Sequence, residues 1–208
     1  DEIVVGADDR RGSLPMSDLL ECRLAGIQVT DLATFFEREA GKIKLGIVDP
    51  SWLVFSDGFD RRQWRQVTKR AFDMAASTIL LLLAAPLMLL TALAIWLESG
   101  FKGPIIYRQE RVGEGGRVFT VLKFRSMRTD AEKDGKAVWA QKDDDRITTV
   151  GRVIRKLRID ELPQVFNVLR GDMSFVGPRP ERPCFVADLS KQIPYFGLRH
   201  CVKPGITG

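Results

Sequence analysis

Residues 74–97 read MAASTILLLLAAPLMLLTALAIWL and contain no charged side chain. About 20 apolar residues are enough to cross the hydrocarbon core of a bilayer, so a straight membrane-spanning helix is one interpretation. Pro86, at the centre of the run, favours another, because proline removes a helical hydrogen bond and bends the axis. Each arm of a helix broken there would be about 18 Å long and would reach only partway into the bilayer. The run therefore predicts a membrane helix, either straight or re-entrant.

Basic residues flank this run on both sides. Those that precede it alternate with apolar side chains, as expected of a helix lying at a membrane interface. The basic residues are Arg61, Arg62, Arg65, Lys69 and Arg70 before the run and Lys102, Arg108, Arg111 and Arg117 after it. Positive flanks prefer the cytoplasm, so two of them favour a segment that enters and leaves the membrane on its cytoplasmic face.

Composition limits the chemistry available to the chain. A net charge of +5 favours anionic partners, which include nucleic acid, phosphorylated ligands and acidic membrane surfaces. Three widely spaced cysteines, Cys22, Cys184 and Cys201, do not form the pattern of a disulfide framework or a zinc site, and they fit a reducing compartment. His200 is the single histidine, so catalysis is expected to depend on carboxylates, lysines and arginines.

Residues 1–60 predict a partial α/β segment followed by a linker. Strands are expected at 3–5 and 27–29, with a helix at 16–24 between them. A second helix begins after Asp31, a favourable N-cap, and ends at Gly41. This order is typical of the end of a nucleotide-binding α/β domain, although no G-x-G-x-x-G motif is present. We expect a structural or regulatory remnant, cut from a longer protein.

Beyond Glu98 the sequence predicts a mixed domain of helices and a small β-hairpin. Strands at 105–107 and 118–122 are joined by a glycine-rich turn at 113–116. Asp145 or Thr148 is expected to cap a helix that runs to about residue 157. Asp160 is expected to cap the next helix, which Gly171 would end.

The pair Asp160-Glu161 is the strongest candidate for catalysis. An Asp at a helix N-terminus would be kept ionised by the helix dipole, and an ionised carboxylate can attack phosphorus. Glu161 could bind Mg²⁺, which usually takes one or two carboxylates together with substrate phosphates. The alternative is that Asp-Glu-x-Pro is an ordinary helix start with no chemical role.

Two further patterns predict cations that could bind phosphate. Lys123 and Arg125 fall on one face of a strand and could form a phosphate clamp, or they could be a solvated strand face. Pro178 and Pro180 restrict the backbone around Arg179, which could present this arginine to a nucleotide. A purely structural turn is the alternative for the second pattern.

Residues 61–208 resemble the bacterial sugar transferases that begin exopolysaccharide, capsule or O-antigen synthesis, the monotopic phosphoglycosyl transferases. The motifs that carry the resemblance are YRQERVG at 107–113, KFRSM at 123–127, RIDELPQVFNVLRGDMS at 158–174, GPRPE at 177–181 and KPGITG at 203–208. Their length and their order along the chain make the resemblance specific.

The resemblance implies a role for each candidate residue. Asp160 matches the nucleophile that attacks a UDP-sugar, releases UMP and holds the sugar phosphate until polyprenyl phosphate accepts it. Glu161 matches the Mg²⁺-binding partner. Arg155 and Lys123 match basic residues near the substrate phosphates, and residues 178–180 match the turn on the nucleotide side.

The chain departs from the family at the centre of its apolar run. In the family this segment is a broken re-entrant helix, commonly with Ser-Pro at the break, whereas this chain has Ala85-Pro86. Another interaction must therefore stabilise the bend. Larger relatives carry a nucleotide-binding-like domain before the membrane segment, which would explain residues 1–60. Relatives also continue beyond Gly208, so we expect part of the catalytic domain to be missing.

Together these observations predict an α+β protein with three parts. Residues 1–60 form the partial α/β segment, 61–98 the basic helix and the re-entrant helix with its break at Pro86, and 99–208 the catalytic domain. The expected function is Mg²⁺-dependent transfer of a sugar-1-phosphate from a UDP-sugar to polyprenyl phosphate. Catalysis is expected on the cytoplasmic face of the bacterial inner membrane, in contact with membrane lipids and without nucleic acid; a homo-oligomer is left open. The alternative is a non-catalytic membrane scaffold that binds acidic lipids.

Overall fold

The computed structural model describes residues 2–6, 14–41, 63–129, 131 and 144–208. The predicted linker at 50–60 and the basic residues Arg61 and Arg62 lie outside these ranges. Contacts along the chain divide it into two compact units, Asp1–Asp60 and Arg61–Gly208. Helices and strands are mixed, and one helix is long and apolar, which confirms the predicted mixed class of fold.

The first unit contains two strands and two helices in alternation. They are β1 (Glu2–Val5), α1 (Met16–Leu24), β2 (Gln28–Asp31) and α2 (Leu32–Ala40). Strands β1 and β2 are parallel neighbours. A carboxylate oxygen of Asp31 accepts hydrogen bonds from the N–H groups of Ala33 and Thr34, both at 3.0 Å, and Gly41 ends α2 with a positive φ of 60°. The predicted order of elements is therefore observed in this unit.

The second unit begins with the long helix α3 (Gln63–Glu98), which holds the whole apolar run. Its 36 residues correspond to about 54 Å of helix, and by length and composition it could cross a membrane. The middle of the helix points outward, since Leu82 and Leu83 are 71% and 75% exposed. Helical structure continues through Pro86, so the re-entrant form of this helix stays a prediction.

The N-terminal part of α3 is bound to the globular part of this unit by polar contacts. The Arg70 guanidinium donates to the carbonyl oxygens of Val168 and Leu169 at 2.5 and 2.6 Å. Asp73 is only 3% exposed, and its carboxylate accepts from the Ser174 hydroxyl at 3.0 Å and from the Phe175 N–H at 3.1 Å. Burial of a carboxylate is costly unless it is hydrogen-bonded, so these donors fix the helix at this point.

The C-terminal part of α3 contacts the same unit by apolar packing. Ile95 is buried in a core cluster with Phe124 and Ile154. Three residues further on, the Glu98 carboxylate accepts a hydrogen bond from the Val150 N–H at 3.1 Å. Both ends of the helix thus contact one compact unit, while its apolar middle is exposed.

A β-hairpin forms the centre of the second unit. Strands β3 (Ile106–Val112) and β4 (Val118–Phe124) pair in antiparallel register, and the turn between them is the predicted glycine-rich turn. Helix α4 (Thr149–Lys156) follows, capped by Thr148, whose hydroxyl accepts from the Gly151 N–H at 2.9 Å. The hairpin and the Thr148 cap are therefore confirmed.

The start of the next helix differs from the prediction. Asp160 lies in a short 3₁₀ turn, Ile159–Glu161, and α5 (Gln164–Arg170) begins only after Pro163. Arg158 precedes the turn with a positive φ of 59°, which changes the direction of the chain. The prediction that Asp160 caps this helix is wrong, because Pro163 occupies the cap position. Gly171 ends α5 with a φ of 94°, as predicted.

The remaining elements surround the hairpin and α5. They are β5 (Ser174–Val176), α6 (Pro183–Gln192), a 3₁₀ segment at Phe196–Cys201, and β6 (Gly205–Thr207), which pairs parallel to β5. Asn167 joins α5 to the hairpin, since its side chain donates to the Thr120 carbonyl at 2.7 Å and accepts from the Leu122 N–H at 3.0 Å. This contact holds the 3₁₀ turn before α5 beside the end of β4.

Candidate active site

A cavity of about 700 Å³ opens between the hairpin, the end of α4, the 3₁₀ turn Ile159–Glu161 and the start of α6. Its described walls contain three carboxylates and nine basic side chains. The carboxylates are Asp160, Glu161 and Glu181; the basic residues are Arg111, Lys123, Arg125, Arg128, Arg146, Arg155, Arg158, Arg179 and Arg182. This excess of positive charge suits a ligand with several phosphate charges.

The structure brings most of the sequence-predicted site residues into this one cavity. Asp160, Glu161, Lys123, Arg125, Arg155 and Arg179 all line it. Pro178 and Pro180 flank Arg179 without belonging to the described lining, and Pro86 lies on α3 away from it. His200 and Cys201 line a separate cavity beside the glycine-rich turn. Residues far apart in the sequence thus converge on Asp160 and Glu161.

Glu161 is held by three cations. Its Oε1 accepts a hydrogen bond from Lys123 Nζ at 2.9 Å and lies 3.8 Å from Arg179 Nη2, while its Oε2 lies 3.6 Å from Arg158 Nη1. The Glu161 side chain is 14% exposed. Burial opposes ionisation, but Lys123 and the two arginines together hold the pKa of Glu161 below its ordinary value. Glu161 is therefore ionised at neutral pH.

Asp160 has the opposite electrostatic environment, although it is adjacent in sequence. Its Oδ1 is buried and has no hydrogen-bond partner among the residues that the structure describes. Burial, helped by the neighbouring Glu161 charge, raises the pKa of Asp160 in spite of Lys123 and Arg155. Asp160 also lies before Pro163, the N-cap of α5, and so does not occupy the cap position from which a helix dipole was expected to keep it ionised. A carboxylate with few hydrogen-bond donors is more basic when ionised, which favours attack on an electrophile.

Arg125 is a second buried charged residue that is not fully hydrogen-bonded. The residue is 8% exposed, and within the described part of the chain its buried Nη1 has no hydrogen-bond partner. A buried guanidinium nitrogen with no acceptor is costly, and a phosphate oxygen would remove that cost.

The sequence analysis did not predict that Arg111 links strand β3 to the turn at Pro180 in the cavity wall. Its side chain is 14% exposed; its Nε and Nη2 donate to Gln109 Oε1 at 3.1 and 2.6 Å, and its Nη1 donates to the Pro180 carbonyl at 3.0 Å. The Gln109 amide in turn donates to the Tyr107 hydroxyl at 3.3 Å. The available signal was the spacing of these three residues, which places them on one face of β3.

Glu161 fits the ligand pattern of Mg²⁺. Among the described residues no group of three or more His, Cys, Asp or Glu side chains could hold a metal ion. Mg²⁺, however, is usually bound by one or two carboxylates together with substrate phosphates and water. Glu161 Oε2 lies 3.6 Å from Arg158 Nη1, which is longer than a hydrogen bond, so this oxygen could serve as a ligand.

Comparison with protein families gives a match across most of the second unit. The family model described as bacterial sugar transferase matches residues 64–208. The chain belongs to this family. The resemblance found in the sequence motifs is thereby confirmed, and the cavity lies within the matched residues.

Individual members of the bacterial sugar transferase family are similar over larger or smaller parts of the chain. A UDP-N-acetylgalactosamine-undecaprenyl-phosphate N-acetylgalactosaminephosphotransferase of Aeromonas hydrophila is 45% identical over 198 residues, 91% of this chain and 44% of that protein. An undecaprenyl-phosphate glucose phosphotransferase of Komagataeibacter xylinus is 50% identical over 149 residues, 70% of this chain and 28% of that protein.

A UDP-glucose:undecaprenyl-phosphate glucose-1-phosphate transferase of Caulobacter vibrioides is 50% identical over 141 residues, 67% of this chain and 51% of that protein. The chain therefore spans about half or less of the length of these three relatives.

The environment of Asp160 predicts a pH-dependent cost to stability. Because its pKa is raised in the folded protein, ionisation destabilises the fold as the pH rises from about 4, the usual aspartate pKa, through the raised value. We expect Asp160→Asn to melt at a higher temperature than the unmodified protein at neutral pH, with the difference vanishing at acid pH. Thermal unfolding in detergent between acid and neutral pH measures this; an equal or lower melting temperature at neutral pH contradicts it.

Proposed function

We propose that the protein transfers a sugar-1-phosphate from a UDP-sugar to undecaprenyl phosphate or a similar polyprenyl phosphate, with Asp160 as the nucleophile. The observation that carries this proposal is the position of Asp160 in the wall of a cavity whose described lining includes nine basic side chains. Among the described residues its Oδ1 has no hydrogen-bond partner. The activities by which the relatives are named support the reaction class.

In the first step, a carboxylate oxygen of Asp160 attacks the phosphorus that carries the sugar. A bond from this oxygen to phosphorus forms while the bond between phosphorus and the bridging oxygen breaks, and UMP leaves with that oxygen. Negative charge grows on the departing phosphate. Lys123, Arg158 and Arg179, which surround Glu161, are placed to stabilise that charge.

In the second step, a phosphate oxygen of the polyprenyl phosphate attacks the same phosphorus. The bond to Asp160 breaks, its carboxylate is regenerated, and a polyprenyl diphosphate sugar is formed. Arg125 and Arg155, which line the same cavity, are available for the additional phosphate charge. Two substrates can use one cavity in turn because UMP leaves before the acceptor reacts.

Mg²⁺ is the cofactor proposed for this reaction. Glu161 would hold the ion, and when bound it would neutralise phosphate charge that the basic residues leave uncompensated. Glu161 suits this role because its lowered pKa keeps it ionised at neutral pH.

The donor sugar is proposed to be N-acetylgalactosamine or glucose. Both sugars occur in the names of similar proteins, and the Aeromonas hydrophila relative, which aligns with 91% of this chain, is named for N-acetylgalactosamine. The non-catalytic scaffold gains no support, because binding acidic lipids gives no reason for a desolvated carboxylate inside a basic cavity. The same argument disfavours nucleic acid as a partner, and a homo-oligomer stays a prediction.

We further propose that α3 enters and leaves the membrane on one face, with the cavity on the cytoplasmic side of the inner membrane. Arg70 and Asp73 near its start, and Ile95 and Glu98 near its end, contact the same compact unit. A helix that crossed the bilayer would carry its two ends to opposite sides. In the absence of the family's Ser-Pro pair, the binding of both helix ends to one unit would stabilise the bend in α3.

The nucleophile assignment predicts loss of UMP release in Asp160→Asn. Asparagine keeps the shape of the side chain but is a poor nucleophile, so we expect a rate at least about 1000-fold lower than that of the unmodified protein. The measurement is UMP formation by the full-length protein with Mg²⁺, undecaprenyl phosphate and either UDP-N-acetylgalactosamine or UDP-glucose. Asp188→Asn, an exposed carboxylate change on α6, is the matched control. Equal UMP release by Asp160→Asn and this control would refute the assignment.

The topology proposal predicts that both flanks of α3 are accessible from one side of the membrane. Cys22, Cys184 and Cys201 are first changed to serine. Two variants are then made in that background, Arg65→Cys and Lys102→Cys, each with a single cysteine at one flank. A membrane-impermeant maleimide should label both positions in inverted vesicles and neither in intact cells stripped of outer membrane. Labelling of the two positions from opposite sides would mean that α3 spans the bilayer.

A further inference from the structure

The turn that carries Arg179 has few backbone donors of its own. Pro178 and Pro180 have no N–H group, so each lacks the donor that other residues contribute to backbone hydrogen bonds. A turn of this composition can be attached to its surroundings chiefly through its carbonyl groups. Its position therefore depends on donors supplied by other elements.

Each of the three carbonyl oxygens in this turn has a donor from a different element. The Pro178 carbonyl accepts from the Gly205 N–H of β6 at 3.1 Å. The Arg179 carbonyl accepts from Arg199 Nη2, in the 3₁₀ segment Phe196–Cys201, at 2.7 Å. The Pro180 carbonyl accepts from Arg111 Nη1 of β3 at 3.0 Å. We call this set of three contacts the carbonyl clamp.

The two arginine donors of the clamp are themselves held in place. Gln109 Oε1 accepts two hydrogen bonds from the Arg111 guanidinium, at 3.1 and 2.6 Å. The Arg199 guanidinium carbon lies 4.7 Å from the centre of the Phe196 ring, within range of a cation–π contact. Both donors are therefore fixed before any ligand binds.

The Arg179 side chain, in contrast, is weakly held. It is 59% exposed, and its contact with Glu161 is 3.8 Å, longer than a hydrogen bond. A long exposed side chain of this kind samples many rotamers, so its average position is set by where the backbone places its Cα atom. Movement of the turn would carry the guanidinium away from Glu161 and from any bound phosphate.

We propose that Arg199 and Arg111 are positioning residues, which hold Arg179 over the cavity through the carbonyl clamp and thereby raise the affinity for the nucleotide phosphate. This inference rests on the proposed function, because it assigns Arg179 to the phosphate of the departing UMP. Arg199 gives the sharper test, since it is not among the described residues that line the cavity and acts only through the turn.

The test measures binding of UMP, which every UDP-sugar donor would release, to the full-length protein by calorimetry. Arg199→Met removes the donor while keeping the side-chain length, and we expect the Kd for UMP to rise about fivefold. Arg199→Lys retains a donor and a charge and should restore the Kd to within about twofold of the unmodified value. Lys191→Met, an exposed charge change on α6, is the control for net charge and should leave the Kd unchanged.

A double-mutant cycle separates positioning from general stabilisation of the fold. In an Arg179→Ala background, Arg199→Met should change the Kd less than about twofold, because its effect is transmitted by Arg179. A lysine side chain cannot donate to Gln109 and Pro180 together as Arg111 does. Arg111→Lys should therefore also raise the Kd for UMP when Arg179 is present and leave it nearly unchanged in the Arg179→Ala background. An equal loss of affinity with and without Arg179, or no loss in Arg199→Met, would overturn the proposal.

If the proposed function is wrong, the UMP-binding measurements differ from those expected if only the clamp proposal is wrong. The unmodified protein would then not bind UMP at all, and the clamp would have no role in phosphate binding. UMP binding by the unmodified protein with an unaltered Kd in Arg199→Met refutes the clamp alone.

Discussion

The ion pair between Lys123 and Glu161 is the contact on which the arrangement of the cavity depends. It joins the end of β4 to the 3₁₀ turn that carries Asp160, across 38 positions of sequence, at 2.9 Å. A partly buried ion pair contributes little net stability, but it fixes the relative positions of the elements that it joins. Lys123 donates to Glu161, whereas the adjacent Asp160 has an oxygen without a donor among the described residues. The pKa values of the two neighbouring carboxylates are shifted in opposite directions, which suits the proposed division between a metal-binding Glu161 and a nucleophilic Asp160.

The same unit connects this chemistry to the membrane helix. Arg70 binds the carbonyl groups of Val168 and Leu169 in the last turn of α5, and two residues separate the start of α5 from the 3₁₀ turn of Asp160. The buried Asp73 accepts from Ser174 and Phe175, just beyond the other end of α5. The contacts at the two ends of α5 thus connect the apolar helix to the turn that carries Asp160. In the proposed reaction, a lipid-linked phosphate at the membrane surface would meet a cavity that these contacts hold in a fixed position relative to α3.

Local patterns predicted much of this structure, and long-range contacts account for what they missed. The hairpin, the Thr148 cap and the Gly171 terminus depend on neighbouring residues, so the sequence contains their signals. The predicted Asp160 cap was wrong because the positive φ of Arg158 and the position of Pro163 delay the helix, and neither effect is evident from Asp-Glu-x-Pro alone. The contacts of Arg111 and Arg199 with the turn join residues 69 and 20 positions apart. Such long-range contacts leave no periodic pattern in the sequence from which they could be predicted.

The central claim is that Asp160 forms a covalent bond to the sugar phosphate. The most direct measurement is mass spectrometry of the full-length protein after incubation with Mg²⁺ and a UDP-sugar in the absence of polyprenyl phosphate, followed by acid quenching and proteolysis. If Asp160 is the nucleophile, one sugar phosphate per chain is added to the peptide that contains Asp160, together with an equal amount of UMP, and added undecaprenyl phosphate removes it. An unmodified peptide, with UMP appearing only when the acceptor is present, would contradict it.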